Sequence, residues 1–352
     1  MIVEVCDAEP LTAEEKAALG PCIQERGLSL HMLDIITNIP QRTRILKVRS
    51  NEGELVGLTS VLLTPAIFMK HCFGQGNHIG TNNTFFFNGR EARAEVLSAM
   101  FRRLVELRPF GYYIGFIDDD TAADFRSALD EVPHVVADRV METGSISTAD
   151  PGAEQALFRE HKHLSRQVHR FANKGGTVHL HEGPVREGLA GEFVACCLDS
   201  YRRNLHPGAS IDVDAYGEHV RGFITIFPAA VHIYARLDDR VVGVQVFIRH
   251  ERHLELTEGG FLSQTYHAYE NIVVASVRYA VEKGLDRVSY GLILNPPKER
   301  LMDKDGRRPV FLVMFFRDAP EPASLDEHRL RAHERFPMLY WKERSAFRAL
   351  PL

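Results

Sequence analysis

The sequence predicts a duplicated α/β fold, and three repeated features predict it. A hairpin pattern occurs twice, each copy is followed by an amphipathic helix, and each helix leads into a short strand carrying tyrosine and glycine. The first hairpin is "ILKVRSNEGELVGLTSVLLTP" (45–65), with Val56-Gly57 opening its second strand. The second is "VHIYARLDDRVVGVQVFIRH" (231–250), turning at Asp238-Asp239, with Val242-Gly243 in the matching place. Runs of β-branched residues either side of a polar turn mark hairpins.

The helices are "REARAEVLSAMFRRLVELRPFG" (90–111) and "HAYENIVVASVRYAVEKG" (267–284), and the strands "YYIGFID" (112–118) and "RVSYGLI" (287–293). In the second helix Tyr269, Ile272, Val273, Ser276 and Ala280 recur at helical spacing, and Gly284 is a stop signal. Between the halves "ETGSISTADPGAEQALF" (142–158) is rich in turn formers. The expected domains are therefore 1–148 and 149–352, a division that 352 residues can support.

The hydrophobic fraction of 45% and charged fraction of 25% are those of a globular protein. No apolar run reaches the roughly 18–20 residues of a membrane span, and the start "MIVEVCDAEPLTAEEK" lacks a signal-like core, so a cytoplasmic location is expected. The 5 cysteines, an odd number without CxxC spacing, argue against a disulfide framework or structural zinc. Cys196 and Cys197 read as buried thiols on an apolar helix. A net charge of −5 gives no global field for nucleic acid, and DNA is not expected as a partner.

A local cationic feature exists all the same. In "EQALFREHKHLSRQVHRFANKGG" (154–176), Arg159, Lys162, Arg166, Arg170 and Lys174 would form one stripe on a single helix, opposite Leu157, Leu164, Val168 and Phe171. The stripe is either a solvated face or a docking surface for a phosphate-rich donor such as a tRNA acceptor stem.

The second half resembles the GNAT-like acyltransferases of the FemAB/BioF2-like group, whose larger members carry two such domains in tandem. The residues that carry the resemblance are the basic helix running into "KGGTVHLHEG" (174–183), the hairpin "ARLDDRVVGVQVFI" (235–248), the helix and strand in "YHAYENIVVASVRYAVEKGLDRVSYGL", and the lysine of "NPPKERLMDKDGRR" (295–308). It covers 154–317 well and 42–118 by architecture. It implies two tandem domains, each a twisted mixed sheet with helices on both faces. It also implies transfer of an acyl or aminoacyl group onto an amine. One departure stands out: "EGGFLSQTYHAYEN" lacks the Q/R-x-x-G-x-G/A spacing of enzymes that use acetyl-CoA, which argues against ordinary acetyl-CoA use.

That corner, within "LTEGGFLSQTYHAYEN" (256–271), passes from strand to helix and concentrates reactive side chains. A strand end splayed from its neighbour, followed by a helix N-terminus, makes a concave site with free backbone donors. Gly259 and Gly260 would let a ligand approach the main chain. Acyl transfer needs a base, an oxyanion donor and an acid for the leaving group. Glu258 or His267 is the candidate base, the amides around Gly260 the oxyanion donors, and Tyr266, Tyr269 or Tyr290 the acid. Lys298 would neutralise a phosphate or carboxylate. Ser263, Asn271, Arg166 and Arg170 complete the donor- or substrate-binding candidates. Each has a plainer alternative: Glu258 a turn carboxylate, His267 a helix cap, Tyr269 a core residue, Lys298 a surface cation.

Other signals are weaker. His179 and His181 in "TVHLHE" lack a third spaced ligand, so no metal site is expected. "GQGNHIGTNN" (74–83) misses the GxGxxG spacing and reads as a binding loop or rim. "DDDTAAD" (118–124) reads as a helix cap. The tail 325–350 reads as a helix packing through Phe336, Leu339, Tyr340 and Trp341. The first half lacks a Tyr-His-x-Tyr corner around 85–96, so it is expected to be structural or acceptor-binding. The expected activity is acyl or aminoacyl transfer from aminoacyl-tRNA, an acyl carrier or acyl-CoA to an amine of a small molecule or cell-wall precursor. No permanently bound cofactor is expected. The alternative is a non-catalytic ligand-binding protein on the same duplicated fold.

Overall fold

The structure is a computed structural model and describes residues 1–7, 11–25, 43–62, 78–81, 85–89, 92–107, 110–116, 119–204, 213–226, 228–263, 266–292, 296–303, 306–317 and 327. Two compact units form, one from Met1–Thr143 with Arg308–Leu352, the other from Gly144–Arg307. The expected division at 148/149 thus changes in two ways. The boundary falls inside a strand, and the chain beyond Arg307 belongs with the first unit.

The first unit contains β1 (Ile2–Asp7), α1 (Ala13–Glu25), β2 (Thr43–Arg49), β3 (Leu55–Leu62), β4 (His78–Thr81) and β5 (Phe85–Phe87). After these come α2 (Arg93–Leu107), β6 (Phe110–Phe116), α3 (Asp119–Asp130) and most of β7 (Val135–Ser147). Its strands run in the order β1-β2-β3-β4-β6-β13-β7, with β5 on β3, where β13 is Arg308–Phe316. Every pairing is antiparallel except β4 with β6. β13 is a strand that the repeated hairpin–helix–strand pattern does not include. Its apolar run pairs with both β6 and β7, a partnership that only the folded unit reveals.

Side chains along β2 alternate between two cores, as a pleated strand with helices on both faces requires. Ile45 joins Leu19 of α1, whereas Leu46 and Val48 join Val96, Leu97 and Phe101 of α2. Gly57 makes the second packing possible. A Cβ there would lie 2.4 Å from Val96 Cγ1. At the start of α1, Glu15 N–H donates to Thr12 Oγ1 at 3.2 Å and Thr12 N–H donates to Glu15 Oε2 at 3.1 Å, a reciprocal cap.

The second unit holds α4 (Ala153–Glu160), α5 (Leu164–Asn173), β8 (Thr177–Glu182), α6 (Glu187–Asn204) and α7 (Val213–Ile226). Then follow β9 (Ala230–Leu237), β10 (Arg240–Arg249), β11 (His253–Phe261), α8 (Ala268–Glu282), β12 (Arg287–Leu292) and α9 (Pro296–Leu301). Its strand order is β12-β11-β10-β9-β8. β8 to β11 are antiparallel neighbours, and β12 runs parallel to β11. The repeat read from the sequence is therefore topological. In each unit three antiparallel strands lead through a helix to a strand parallel with the third.

Helix α8 carries Ile272, Val273, Val277 and Ala280 into the core, joined by Leu157, Leu164 and Phe171 from α4 and α5. The packing face expected for 154–176 is present, but the single helix is not. The chain breaks at His161–His163 into α4 and α5, so Arg159, Lys162 and Arg166 do not share one helical stripe. No Gly or Pro marks the break, which is why periodicity alone missed it. On the opposite side of the sheet α6 buries Phe193, Cys196 and Cys197. Burial pushes the Cys196 thiol up to about 12, so it is inert as a nucleophile.

The expected rim loop 74–83 lies outside the described residues apart from its strand β4, and the expected tail helix 325–350 does so apart from residue 327. Among the described residues no helix is long and apolar enough to cross a membrane.

His232 of β9 is fully buried between Phe193, 5.6 Å away, and His181, 5.9 Å away, and among the described residues neither ring nitrogen has a hydrogen-bond partner. Desolvation holds its pKa down to about 4; the His181 backbone opposes that shift and the His181 charge adds to it. The unfolded imidazole titrates near ~6.5, so the unfolded state binds the extra proton first as pH falls. Stability is full above that value and is lost on acidification through the folded pKa. Between pH 7.5 and pH 4.5 the wild type should lose about 2–3 kcal/mol more unfolding free energy than His232→Leu. Equal losses in urea titrations of both proteins would show that the imidazole is not held neutral.

Candidate active site

The strand-to-helix corner is present, with β11 ending at Phe261 and α8 beginning at Ala268. Parallel pairing of β11 with β12 covers three pairs, His253–Arg287, Leu254–Val288 and Glu255–Ser289, although both strands continue. On its other side β11 stays paired with β10 as far as Phe261, through a bulge opposite Val246–Phe247. A bulge bends a strand and increases its twist, which separates β11 from β12 here. Gly291, at φ 63°, turns the end of β12 in a region that L side chains avoid.

The exit from β11 is fastened to α6. Phe261 N–H donates to Ser200 Oγ at 3.2 Å, Ser263 N–H donates to Asp199 Oδ2 at 3.0 Å, and Arg203 donates to Phe261 carbonyl oxygen. Ser263 therefore meets α6 through its backbone. Tyr266 and His267 then both adopt positive φ, 43° and 75°. Two successive non-glycine residues in that region hold strain that the surroundings must compensate. Asn271 supplies part of that support, donating from Nδ2 to the His267 carbonyl at 2.9 Å. Its side chain is nearly buried and holds the corner rather than facing a ligand.

A cavity of about 450 Å³ opens beside the first turn of α8. The His161–His163 turn, Leu164 and Gln167 form one wall. Glu270 of α8 and Arg300 and Leu301 of α9 form the other, with Glu160 at the edge. α8 follows the carboxyl end of β11 and α9 follows that of β12, so part of the cavity wall comes from the two helices that leave the carboxyl ends of these parallel strands. Ligands of open α/β sheets bind at that end of the strands. Glu270 keeps 18% side-chain exposure, accepts from Gln167 Nε2 at 3.3 Å, and lies 3.6 Å from His267 Nδ1. Glu270 stood inside the quoted corner, yet sequence gave no reason to prefer it over Glu258. The break between α4 and α5 selects it by building the facing wall.

The structure does not gather all the expected residues. Gly260 faces α6: a Cβ there would lie 2.3 Å from Cys197 Cα and 2.4 Å from the Cys196 carbonyl. The glycine lets a helix approach the strand, correcting the expectation that it opens the main chain to a ligand. Gly259 is hemmed in by the Val244 carbonyl at 3.1 Å. Glu258, two residues before Gly260, shares the α6 face, and its charge helps push the Cys197 thiol up after burial itself. Phe261 points the other way and meets Tyr269 edge-on at 5.5 Å. Glu258 and His267 therefore belong to opposite sides of the sheet and do not form one constellation.

Tyr290 is also corrected. It is fully buried, with its hydroxyl 2.6 Å from Ser276 Oγ, and burial drives its pKa upward, so it has no route to a leaving group. The Tyr269 hydroxyl is buried without a partner among the described residues, and burial raises its pKa too. Tyr266 differs. It is 47% exposed, with Lys174 Nζ 5.3 Å from its ring centre. Arg166 and Arg170 are exposed on α5. Lys298 lies in α9, but its side chain is outside the described residues. His179 Nε2 and His181 Nε2 bond to Thr177 Oγ1 and the Pro184 carbonyl, and no metal-holding cluster occurs among the described residues.

No protein-family model matches the sequence, and a search of curated proteins finds no match. Solved structures do resemble it. L-PGS from Bacillus licheniformis superposes with a TM-score of 0.56 at 11% identity, covering 95% of this chain and 98% of that one. A DUF2156 domain, the C-terminal domain of a protein assigned as lysylphosphatidylglycerol synthetase from Agrobacterium fabrum, gives 0.54 at 10% identity over 86% and 91%. A tandem GNAT protein from the clavulanic acid biosynthesis pathway gives 0.50 at 13% identity over 91% and 100%.

Gly260→Ala should destabilise the protein by roughly 1–3 kcal/mol or more, because the new methyl meets helix backbone. Gly191→Ala, on α6 with nothing within 4 Å of its Cβ position, should be neutral or stabilise by up to about 1 kcal/mol. Denaturant titration measures both, and a tolerated Gly260→Ala would refute the close crossing. At such identities the likeness establishes the fold: this chain is a mixed α/β protein of the tandem GNAT-like type.

Proposed function

We propose that the second unit joins an acyl or aminoacyl group to a primary amine, as a cytoplasmic member of the FemAB/BioF2-like group of tandem GNAT-fold proteins. The observation that carries this reading is the cavity walled by the helices that follow the diverging β11 and β12, with Glu270 on its wall and His267 3.6 Å from that carboxylate. The names of the structural neighbours support it, since one denotes a lysylphosphatidylglycerol synthetase and another a GNAT protein.

The acceptor enters as an ammonium and is not nucleophilic until it loses a proton. His267, 3.6 Å from Glu270, is the base, and the carboxylate orients its ring and stabilises the imidazolium that forms. The freed nitrogen lone pair attacks the donor carbonyl carbon. A C–N bond forms, the C–S or C–O bond to the donor breaks, and the departing sulfur or oxygen takes up a proton. Tyr266 is the exposed hydroxyl of the corner suited to giving that proton. Arg166, Arg170 and Lys174 along α5 suit a phosphate-rich donor, with aminoacyl-tRNA preferred and an acyl-carrier or CoA thioester as the other members of the class. The acceptor is an amine of a small molecule or cell-wall precursor.

Turnover of amines with aminoacyl-tRNA or acyl thioesters, followed by mass spectrometry, tests the reaction. Glu270→Gln and His267→Ala should each lower kcat by about 100-fold or more, while Glu258→Gln stays within a few fold. The reverse pattern would move the chemistry to the α6 face, and absence of product with every donor would leave a ligand-binding protein. The donor is tested separately by melting. Charged tRNA should raise Tm, and that rise should shrink steeply between about 50 and 200 mM salt, because phosphate contacts release counterions. A rise with CoA and none with tRNA would overturn the donor preference.

A further inference from the structure

The walls of the cavity sort by charge with depth, and that order selects an acceptor. Leu164 and Leu301 are buried, and Glu270 sits beside them with little exposure. Among the described residues no lysine or arginine pairs with Glu270; its neighbours are the Gln167 amide and the His267 ring. A half-buried carboxylate without a cationic partner is poorly compensated, and a ligand cation would complete it. The exposed edge has the opposite character. Lys162 and Arg300 line it, and His163 opens α5, a helix with no side-chain cap and no acidic residue in its first turn. That helix start adds partial positive charge to the two cations. Glu160, also lining the cavity, is an opposing charge beside them.

We propose that the cavity takes an acceptor whose primary amine is joined through a short apolar spacer to an anionic group. The ammonium meets Glu270, the spacer lies against Leu164 and Leu301, and the anion rests on Lys162 and Arg300. The anion is a carboxylate, as in an ω-amino acid, or a phosphate monoester, as in an aminoalkyl phosphate. This inference rests on the acyl-transfer reading for the fate of the amine, but binding of the ligand requires no donor.

Isothermal titration of the full chain tests it with δ-aminovalerate, O-phosphoethanolamine, n-pentylamine, valerate and N-acetyl-δ-aminovalerate. At least one of the two zwitterions should bind about tenfold or more tighter than n-pentylamine, valerate and the N-acetylated compound, the value of one charge-assisted contact. Which zwitterion binds better separates the carboxylate from the phosphate. Glu270→Gln should remove the advantage over valerate, and Lys162→Gln should reduce the advantage over n-pentylamine, both with unchanged Tm. Equal binding of n-pentylamine and the zwitterions, or no binding by any compound, overturns the proposal. Either result leaves the acyl-transfer reading intact, since turnover assays judge that separately.

Discussion

The parting of β11 from β12 is the constraint on which the second unit's candidate site depends. Two parallel strands that stayed paired to their ends would bring the starts of α8 and α9 together and close the space between them. Here the ladder stops after three pairs. The bulge against β10, the left-handed turn at Gly291 and the anchoring of Phe261 to α6 all favour the same separation. Gly243 contributes from the adjacent strand, since a Cβ there would lie 2.3 Å from the Phe261 ring. Phe261 thus settles over a glycine notch and presents its ring to Tyr269, which ties the strand end to the first turn of α8.

The corner carries strain that this packing must support. Tyr266 and His267 occupy a backbone region that side chains usually avoid, each at a cost of about 1–3 kcal/mol. Buried Ala268 and Ile272 anchor the helix that follows, and Asn271 holds the His267 carbonyl. The result is a His267 ring 3.6 Å from Glu270, which lines an open cavity. On the proposed reading, that geometry keeps the general base in place before the substrate arrives. The opposite face works differently. Glycine 260 brings α6 against the strand, and two inert thiols fill the contact.

The repeated topology shows how one local sequence pattern serves two ends. Gly57 and Gly243 occupy matching hairpin positions, and both remove a side chain so that a neighbour can settle into the sheet. In the first unit the neighbour is Val96 of a helix; in the second it is Phe261 of the next strand. Among the described residues, the first unit's parallel ladder between β4 and β6 has four pairs, from His78–Tyr112 to Thr81–Gly115. The second unit carries the strained Tyr266–His267 corner and the broken α4–α5 segment.

Sequence alone determined the hairpins, a helix within 267–284, its apolar face and the strand-to-helix corner, because period, turn residues and helix stops are local signals. It also identified the buried thiols and the packing side of 154–176. It did not determine which of two glutamates faces the cavity, since strand alternation becomes meaningful only once each face has its helix. Nor did it show the break at His161–His163, the burial of Tyr290 beneath α8, or the return of β13 to the first unit. Tertiary structure decided those points, because each depends on what residues distant in the chain place against a side chain whose local pattern permits either outcome.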